Sequence, residues 1–336
     1  MELSVDPLQQ PPHVSKKFVC FRIFSGPHYF WPALFLARRL LEQVWSRKDG
    51  QAIFLALDWA KAFDSVSPVG LLDALRRFGL PEKFLGVIKA IYSDRTFQVK
   101  DAGRRSTTHV QTFGICQGCT LSPFLSVMLM TVLMVDAKNK LHSNPDFSEQ
   151  EPLLTRDLLY ADDTLLFETN SRNVELFMNI IGDVGTQYGL AFNWSKLEAM
   201  PVRCNLILPT PQEGTVKLKE GIVYLGSLLS NDGSIGGELG RRIGNASCDF
   251  RVLCKVWSHA AINKQRKLEI FNACVVSKLM YCIHTAWLNV AERRRLDAFQ
   301  NKCLRKVMGE EHSFYSRVTN QSILQQAGSQ KLSDIY

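Results

Sequence analysis

Apolar positions along the chain fall into runs of two kinds, short unbroken stretches and longer stripes at helical spacing. Ala52 to Leu57 is six apolar residues in succession, stopping at Asp58. A run of this length with no polar face predicts a strand buried on both sides. Upstream, Pro32 to Val44 has helical spacing and ends at Asp49-Gly50. Downstream, Ser67-Pro68 supplies an N-cap and a first-turn proline, Leu71, Leu72 and Leu75 form a stripe, and Gly79 and Pro81 close the helix. A second helix is expected from Pro81 to about Tyr92. Residues 96–115 alternate around Gly103, which predicts a hairpin. Ser122-Pro123 reads as the cap of a helix that is apolar most of the way round and therefore buried. Leu158 to Phe167 reads as two short strands around an acidic tip. Val174, Phe177, Ile181, Val184 and Tyr188 recur at helical spacing up to Gly189. Val223 to Leu229 reads as one more strand, with a turn at Asn231-Asp232-Gly233, and basic helices follow from Gly240 to about Met308. The order predicts an α+β domain, an antiparallel sheet packed on helices, followed by an all-helical module. Residues 1–30 carry no clear period.

Charge divides the chain in the same place. The 336 residues carry 40 Lys+Arg against 32 Asp+Glu, a net charge of +8, and 46% are apolar, enough for a sizeable core. Between Arg241 and Lys306 there are fourteen basic residues against four acids, so that stretch holds +10 and the remainder is slightly acidic. Arg241, Arg242, Arg251, Lys255, Lys264, Arg266, Lys267, Lys278 and the run Arg293-Arg294-Arg295 lie among Trp257, Phe271, Tyr281 and Trp287. Helices of this kind would track a phosphate backbone without reading sequence.

Nine cysteines at irregular spacing do not suggest a disulfide framework and favour a reducing compartment. Cys116 and Cys119 form a lone CxxC with no second pair at zinc-site spacing. The longest apolar stretch, Phe124 to Val135, is shorter than the ~20 residues of a membrane span. With no secretory start either, no membrane partner is expected.

The sharpest chemical feature is Tyr160-Ala161-Asp162-Asp163, two adjacent carboxylates between two strand-like runs. An Asp-Asp pair alone is usually a solvated turn. Here Asp58 ends the other buried strand, and if the two strands are sheet neighbours the three carboxylates converge. Such a cluster repels itself unless it holds divalent cations, and hard oxygen ligands suit magnesium. Paired ions of this kind serve phosphoryl and nucleotidyl transfer.

Five blocks then occur in order: Ala-Leu-Asp58-Trp-Ala-Lys61-Ala-Phe63-Asp64, Gly114-Ile-Cys-Gln117-Gly118-Cys-Thr-Leu-Ser122-Pro123, Tyr160-Ala-Asp162-Asp163, Gly189-Leu-Ala-Phe-Asn193-Trp-Ser-Lys196 and Tyr224-Leu225-Gly226. Together they resemble the reverse transcriptase of non-long-terminal-repeat (LINE-like) retrotransposons over roughly residues 32 to 309. The resemblance implies a palm and a helical thumb. It implies that Asp58, Asp162 and Asp163 bind magnesium, or manganese, as the catalytic triad, and that Lys196 protonates or neutralises the leaving pyrophosphate. Phe63 would stack under the sugar and exclude a 2′-hydroxyl, and Gln117-Gly118 would lie against the incoming deoxynucleoside triphosphate. Tyr224, Leu225 and Gly226 would grip the DNA primer on its RNA template. Asp64 reads instead as a capping or salt-bridge residue. Protein partners are left open, and a nuclear location is implied by the resemblance alone.

The sequence departs from the family pattern at Cys116, Thr120 and Leu197, and the fingers blocks expected before Asp58 are mostly missing. The expected organisation is a partial fingers remnant over 1–50, with Phe21 to Leu40 as its trace, a palm over 51–232, a thumb-like module over 233–309 and a tail over 310–336. A fragment of a longer open reading frame is expected, without an endonuclease domain or a downstream Cys/His cluster. Two alternatives remain at this stage: a catalytically inactive nucleic-acid-binding remnant, and an RNA-templated RNA polymerase, against which Phe63 speaks.

Overall fold

A computed structural model describes residues 27–148, 153, 155–211 and 214–335, with side chains from residue 32 onward. The chain forms two compact units, one comprising residues up to Ala33 and Arg47–Leu225, the other Leu34–Ser46 and Gly226–Tyr336.

The first unit is built on a five-stranded sheet. Its strands are β1 (Ala52–Leu57), β2 (Asp157–Tyr160), β3 (Asp163–Glu168), β4 (Glu198–Val202) and β5 (Lys217–Leu218), in the order β2-β3-β1-β4-β5. All pairings are antiparallel except β4 with β5. β1 lies at the centre, which is why its sequence has no polar face. Four helices accompany the sheet: α1 (Pro68–Phe78), α2 (Glu82–Tyr92), α3 (Ser122–His142) and α4 (Ser171–Gln187).

Leu71 and Leu75 of α1, Leu129 and Leu133 of α3, and Phe177, Ile181 and Val184 of α4 share one core with Ile53, Leu55 and Leu57 of β1. Burying each such side chain contributes roughly 1.5–3 kcal/mol. The ends of α1 are those its sequence predicts. The Ser67 side chain accepts the Gly70 N–H, Pro68 opens the first turn, and Gly79 closes it with φ of 103°. Residues 96–110 form a narrow ribbon rather than a sheet strand, Thr96–Phe97 pairing with His109–Val110 and Lys100–Asp101 with Arg104–Arg105.

The strand expected over Val223–Leu229 is divided into Gly221–Tyr224 and Ser227–Ser230, because Leu225 and Gly226 both take positive φ (47° and 72°). The unit boundary falls at this turn, seven residues before residue 232, where the resemblance led the palm to be expected to end.

The second unit is helical, around α5 (Gly236–Val252), α6 (Lys264–Phe271) and α7 (Val290–Met308). α7 begins with a reciprocal capping box between Asn289 and Glu292 and ends at Gly309. Two boundaries differ from the expectation. Leu34–Ser46 belongs to this unit, where the buried Arg38 guanidinium donates to Ser227 Oγ at 3.2 Å and the Leu228 carbonyl at 2.8 Å. It is therefore not part of a separate module over 1–50; residues 1–26, including the start of the Phe21–Leu40 stretch, lie outside the described residues. Nor is 310–336 a loose tail, since Ile323, Leu324 and Leu332 enter the second core and Ser333 bonds Asp297. Ile323-Leu324 and Leu332 are too widely spaced to read as a helical stripe. Among the described residues no helix is long and apolar enough to cross a membrane.

Candidate active site

The acidic tip and the end of β1 meet at one edge of the sheet. Tyr160 pairs with Asp163, leaving Ala161-Asp162 as a two-residue loop, with Ala161 at φ of 53°. A non-glycine residue there is strained by roughly 1–2 kcal/mol, a conformation retained where the surrounding structure fixes it. β1 runs antiparallel to β3 with Leu57 opposite Thr164, so the next residue out on each strand is a carboxylate, Asp58 and Asp163. Their proximity is felt electrostatically. Desolvation first, then Asp162, then Asp58, raise the Asp163 carboxyl above its ordinary value.

A second segment reaches the same edge. Gly189 turns the chain after α4 with φ of 79°, and a Cβ there would lie 2.5 Å from the Ser65 carbonyl, so glycine is required for the approach. The following residues run beside the end of β1. Ala60 N–H donates to the Ala191 carbonyl and Asn193 N–H to the Asp58 carbonyl, both at 2.8 Å, and Trp59 packs on Phe192 with centroids 4.6 Å apart. This pairing carries Lys196, in a short 3-10 turn, to within 3.6 Å (Nζ to Oδ2) of Asp58. The structure thus brings Asp58, Asp162, Asp163 and Lys196 together.

Phe63 is half-buried against the core, and its carbonyl accepts the Ile115 N–H at 2.6 Å. Gly114 donates to the Val66 carbonyl at 2.8 Å, and a Cβ on Gly114 would come within 2.8 Å of the Asp64 carbonyl. These contacts lay the exposed Gln117-Gly118 loop beside Phe63. Among the described residues Asp64 neither caps a helix nor forms an ion pair; its Oδ1 accepts from Gln117 Nε2 at 3.2 Å. Ser122 also differs from its expected role. It lies inside α3, whose N-cap position is Leu121, and its buried hydroxyl donates to the Cys116 carbonyl at 2.6 Å, pinning the loop from the other end.

At Tyr224-Leu225-Gly226 the structure narrows the expectation. Tyr224 and Leu225 are buried, so their side chains shape the turn from within, and Gly226 alone of the three is exposed. Among the described residues the Tyr224 hydroxyl has no hydrogen-bond partner, and it is raised by burial, then by the charges of Asp163 and Asp157. The sequence pattern could not show Tyr224 as an interior residue, because a short apolar run does not reveal which side it buries.

The donor set at the sheet edge suits a hard divalent cation. It is all oxygen, and the Asp163 carboxyl is raised by desolvation and then by the charges of Asp162 and Asp58, a repulsion that a bound cation would relieve. Among the described residues, no group of three or more His, Cys, Asp or Glu side chains is placed as it would be to hold a metal ion.

In the helical unit, several basic residues serve the fold itself. Arg242 and Arg241 bond the fully buried Glu238, and Arg241 donates to the Gly226 carbonyl at 2.6 Å. The buried Arg305 joins Asn320, the Glu311 carbonyl and the Val318 carbonyl. Lys278 pairs with Asp249 and Arg266 with Glu269. Arg251, Lys255, Lys264, Arg294, Arg295, Lys302 and Lys306 remain on the surface.

Known proteins share both the sequence pattern and the fold. The chain is 25% identical over 183 residues to the Pol polyprotein of the type-2 retrotransposable element R2DM of Drosophila melanogaster, covering 54% of this chain and 16% of that protein. It is 23% identical over 298 residues to the Pol polyprotein of a type-1 element R2 of Popillia japonica, covering 81% of this chain and 40% of that protein. Another relative is the 149 kDa protein of transposon TX1 of Xenopus laevis, 27% identical over 202 residues, 59% of this chain and 15% of that protein. The chain thus spans well under half the length of these relatives. Among solved structures, telomerase of Candida albicans superposes with a TM-score of 0.50 at 13% identity, covering 93% of this chain and 54% of the telomerase chain, a likeness of fold. Residues 19–228 match the family described as reverse transcriptase (RNA-dependent DNA polymerase). The chain belongs to that family and carries a reverse transcriptase domain of the non-LTR retrotransposon type.

Proposed function

We propose that this chain extends the 3′-hydroxyl of a DNA primer with deoxynucleotides on an RNA template. The observation that carries the reading is the convergence of Asp58, Asp162 and Asp163 at one sheet edge, with Lys196 3.6 Å from Asp58. Asp58, Asp162 and Asp163 would hold two magnesium ions, or manganese, which supply activation of the attacking hydroxyl and neutralise charge on the transferred phosphate. Lys196 holds an ammonium proton beside that centre, in place to pass it to the departing pyrophosphate. Phe63 bounds the sugar of the incoming triphosphate, and the Gln117-Gly118 loop, with no side chain at Gly118, lets backbone approach the nucleotide. The exposed Gly226 meets the primer strand, and the surface cations of the helical unit hold the phosphate backbone without regard to sequence. The division into a palm up to the Leu225-Gly226 turn and a thumb-like helical unit after it is part of the same reading.

Primer extension on an RNA template with magnesium and deoxynucleotides tests it, beside Asp162→Ala/Asp163→Ala. Extension that disappears in the double variant is expected. No extension by the parent, with salt-sensitive RNA binding retained in both proteins, would instead make this chain a catalytically inactive, nucleic-acid-binding relative of the polymerases.

A further inference from the structure

The ribbon over residues 96–110 is exposed along nearly its whole length, which is unusual for a two-stranded element, since an isolated hairpin is marginal in water. It also exposes apolar surface: Phe97 is 47% accessible, Val99 57%, Val110 69%, and Phe113 just beyond it 56%. Phe97 stands opposite His109 in the register, their rings 5.4 Å apart and inclined by 31°, a flat pair with a free outer side. Nearer the tip Lys100 stands opposite Arg105, like charges on directly facing positions, which destabilises a ladder. Asp101 faces Arg104 on the next rung. Among the described residues no carboxylate forms an ion pair with Lys100, Arg104 or Arg105.

This arrangement is held in place from below. Arg95 stacks over Tyr92 at 4.7 Å and donates to Gln111 Oε1 at 2.7 Å and to the Gly114 carbonyl at 3.4 Å. Gly114 opens the loop that carries Gln117 and Gly118, so the ribbon is anchored to the same backbone that lies beside Phe63. An exposed aromatic pair next to uncompensated cations has the chemistry of a stacking platform for unpaired nucleotides, with bases on the rings and phosphates at the arginines. Outside the helical unit the chain carries no net charge, so the cluster is a local cationic feature and not a part of a basic surface.

We propose that the ribbon of residues 96–110 binds an unpaired RNA strand, stacking bases on Phe97 and His109 and meeting its phosphates with Lys100, Arg104 and Arg105. A duplex fits the features less well: the deep, narrow major groove of A-form RNA does not admit a ribbon, and paired bases offer no faces to the rings. The inference rests on the polymerase reading only for the identity of the strand, the stretch of template not yet copied.

The test is fluorescence anisotropy of the full chain, without nucleotides, on a labelled single-stranded oligoadenylate RNA and on an RNA duplex of equal length. Phe97→Ala/His109→Ala should weaken single-strand binding about tenfold and leave duplex binding unchanged, while Phe97→Trp keeps parental affinity. Arg104→Ser/Arg105→Ser should flatten the slope of log affinity against log salt on the single strand by about 1.4. The ribbon is outside both cores, so melting temperatures should match the parent; if the aromatic variant melts early, the arginine variant decides alone. Single-strand affinity within twofold of the parent with an unchanged salt slope would overturn the proposal, as would equal losses on single strand and duplex. Because nothing is polymerised, failed primer extension with intact ribbon-dependent binding would count against the catalytic reading only.

Discussion

Lys196 Nζ lies 3.6 Å from Asp58 Oδ2, joined across the sheet edge by the Asn193 N–H that donates to the Asp58 carbonyl. Both side chains reach solvent, so this pair adds little to stability. Lys196→Ala should lower the extension rate about 100-fold while primer-template affinity stays within a few-fold of the parent. Lys196→Arg should restore binding charge and not rate, since guanidinium releases its proton poorly. Single-turnover extension beside equilibrium binding separates the two effects.

The elevated Asp163 carboxyl makes a prediction about pH and cations. A carboxyl raised in the folded state holds its proton more tightly there than in the unfolded chain, so its ionised form weakens the fold at neutral pH. As pH falls through the folded value towards the ordinary one, that weakening is relieved. Asp163→Asn should therefore melt higher than the parent at pH 7.5, with the gap narrowing as pH drops into the carboxylate range. Magnesium or manganese should raise the parent's Tm and raise that of Asp163→Asn less. Thermal melts over a pH series, with and without the cation, read both effects.

Phe63 is held at its backbone by Ile115 and is half-buried against the core. Phe63→Ala should reduce the preference for deoxynucleotides over ribonucleotides by at least about tenfold, seen in the ratio of kcat/KM for the two triphosphates. Unchanged discrimination would remove Phe63 from the sugar site.

Two glycines with similar backbone angles should respond differently to alanine. Gly103 at the ribbon turn (φ 82°) has open space around it, so Gly103→Ala should cost about 1–2 kcal/mol, the left-handed strain alone. Gly189→Ala adds a Cβ 2.5 Å from the Ser65 carbonyl and 2.8 Å from the Ser67 nitrogen, backbone atoms that cannot rotate away. It should cost more than about 3 kcal/mol in urea denaturation, and loosen the segment that carries Lys196.

Much of this was legible in the sequence because it depends on local patterns. The unbroken run at Ala52–Leu57 identified the central strand, and the spacing of Val174, Phe177, Ile181 and Val184 identified a helix whose buried face is that stripe. Asp58 and the Asp162-Asp163 pair were recognisable because each ends or interrupts an apolar run. Features that depend on a distant partner were not legible. Ser122 beside Pro123 has the letters of a helix cap, and only the fold shows its hydroxyl turned to the Cys116 carbonyl. Arg242 was grouped with the cations that would track a phosphate backbone, yet it pairs with the buried Glu238 inside the helical unit. Ile323, Leu324 and Leu332 were too few to announce that the last segment packs into a core. The ribbon was read as a hairpin, but alternation alone could not say that both of its sides face water.

The pairing of β1 with β3, Ile53 opposite Glu168, joins residues more than a hundred positions apart, and the Asn193 bond to Asp58 reaches further still. Contacts of such long sequence separation form slowly, because the intervening loop must close before they return any energy. During synthesis, Asp58 would leave the ribosome long before the acidic tip and longer before Lys196. The carboxylates therefore meet only once half of the chain is available, so the site matures late, and a translation product ending ahead of β3 would hold Asp58 with no counterpart to complete it.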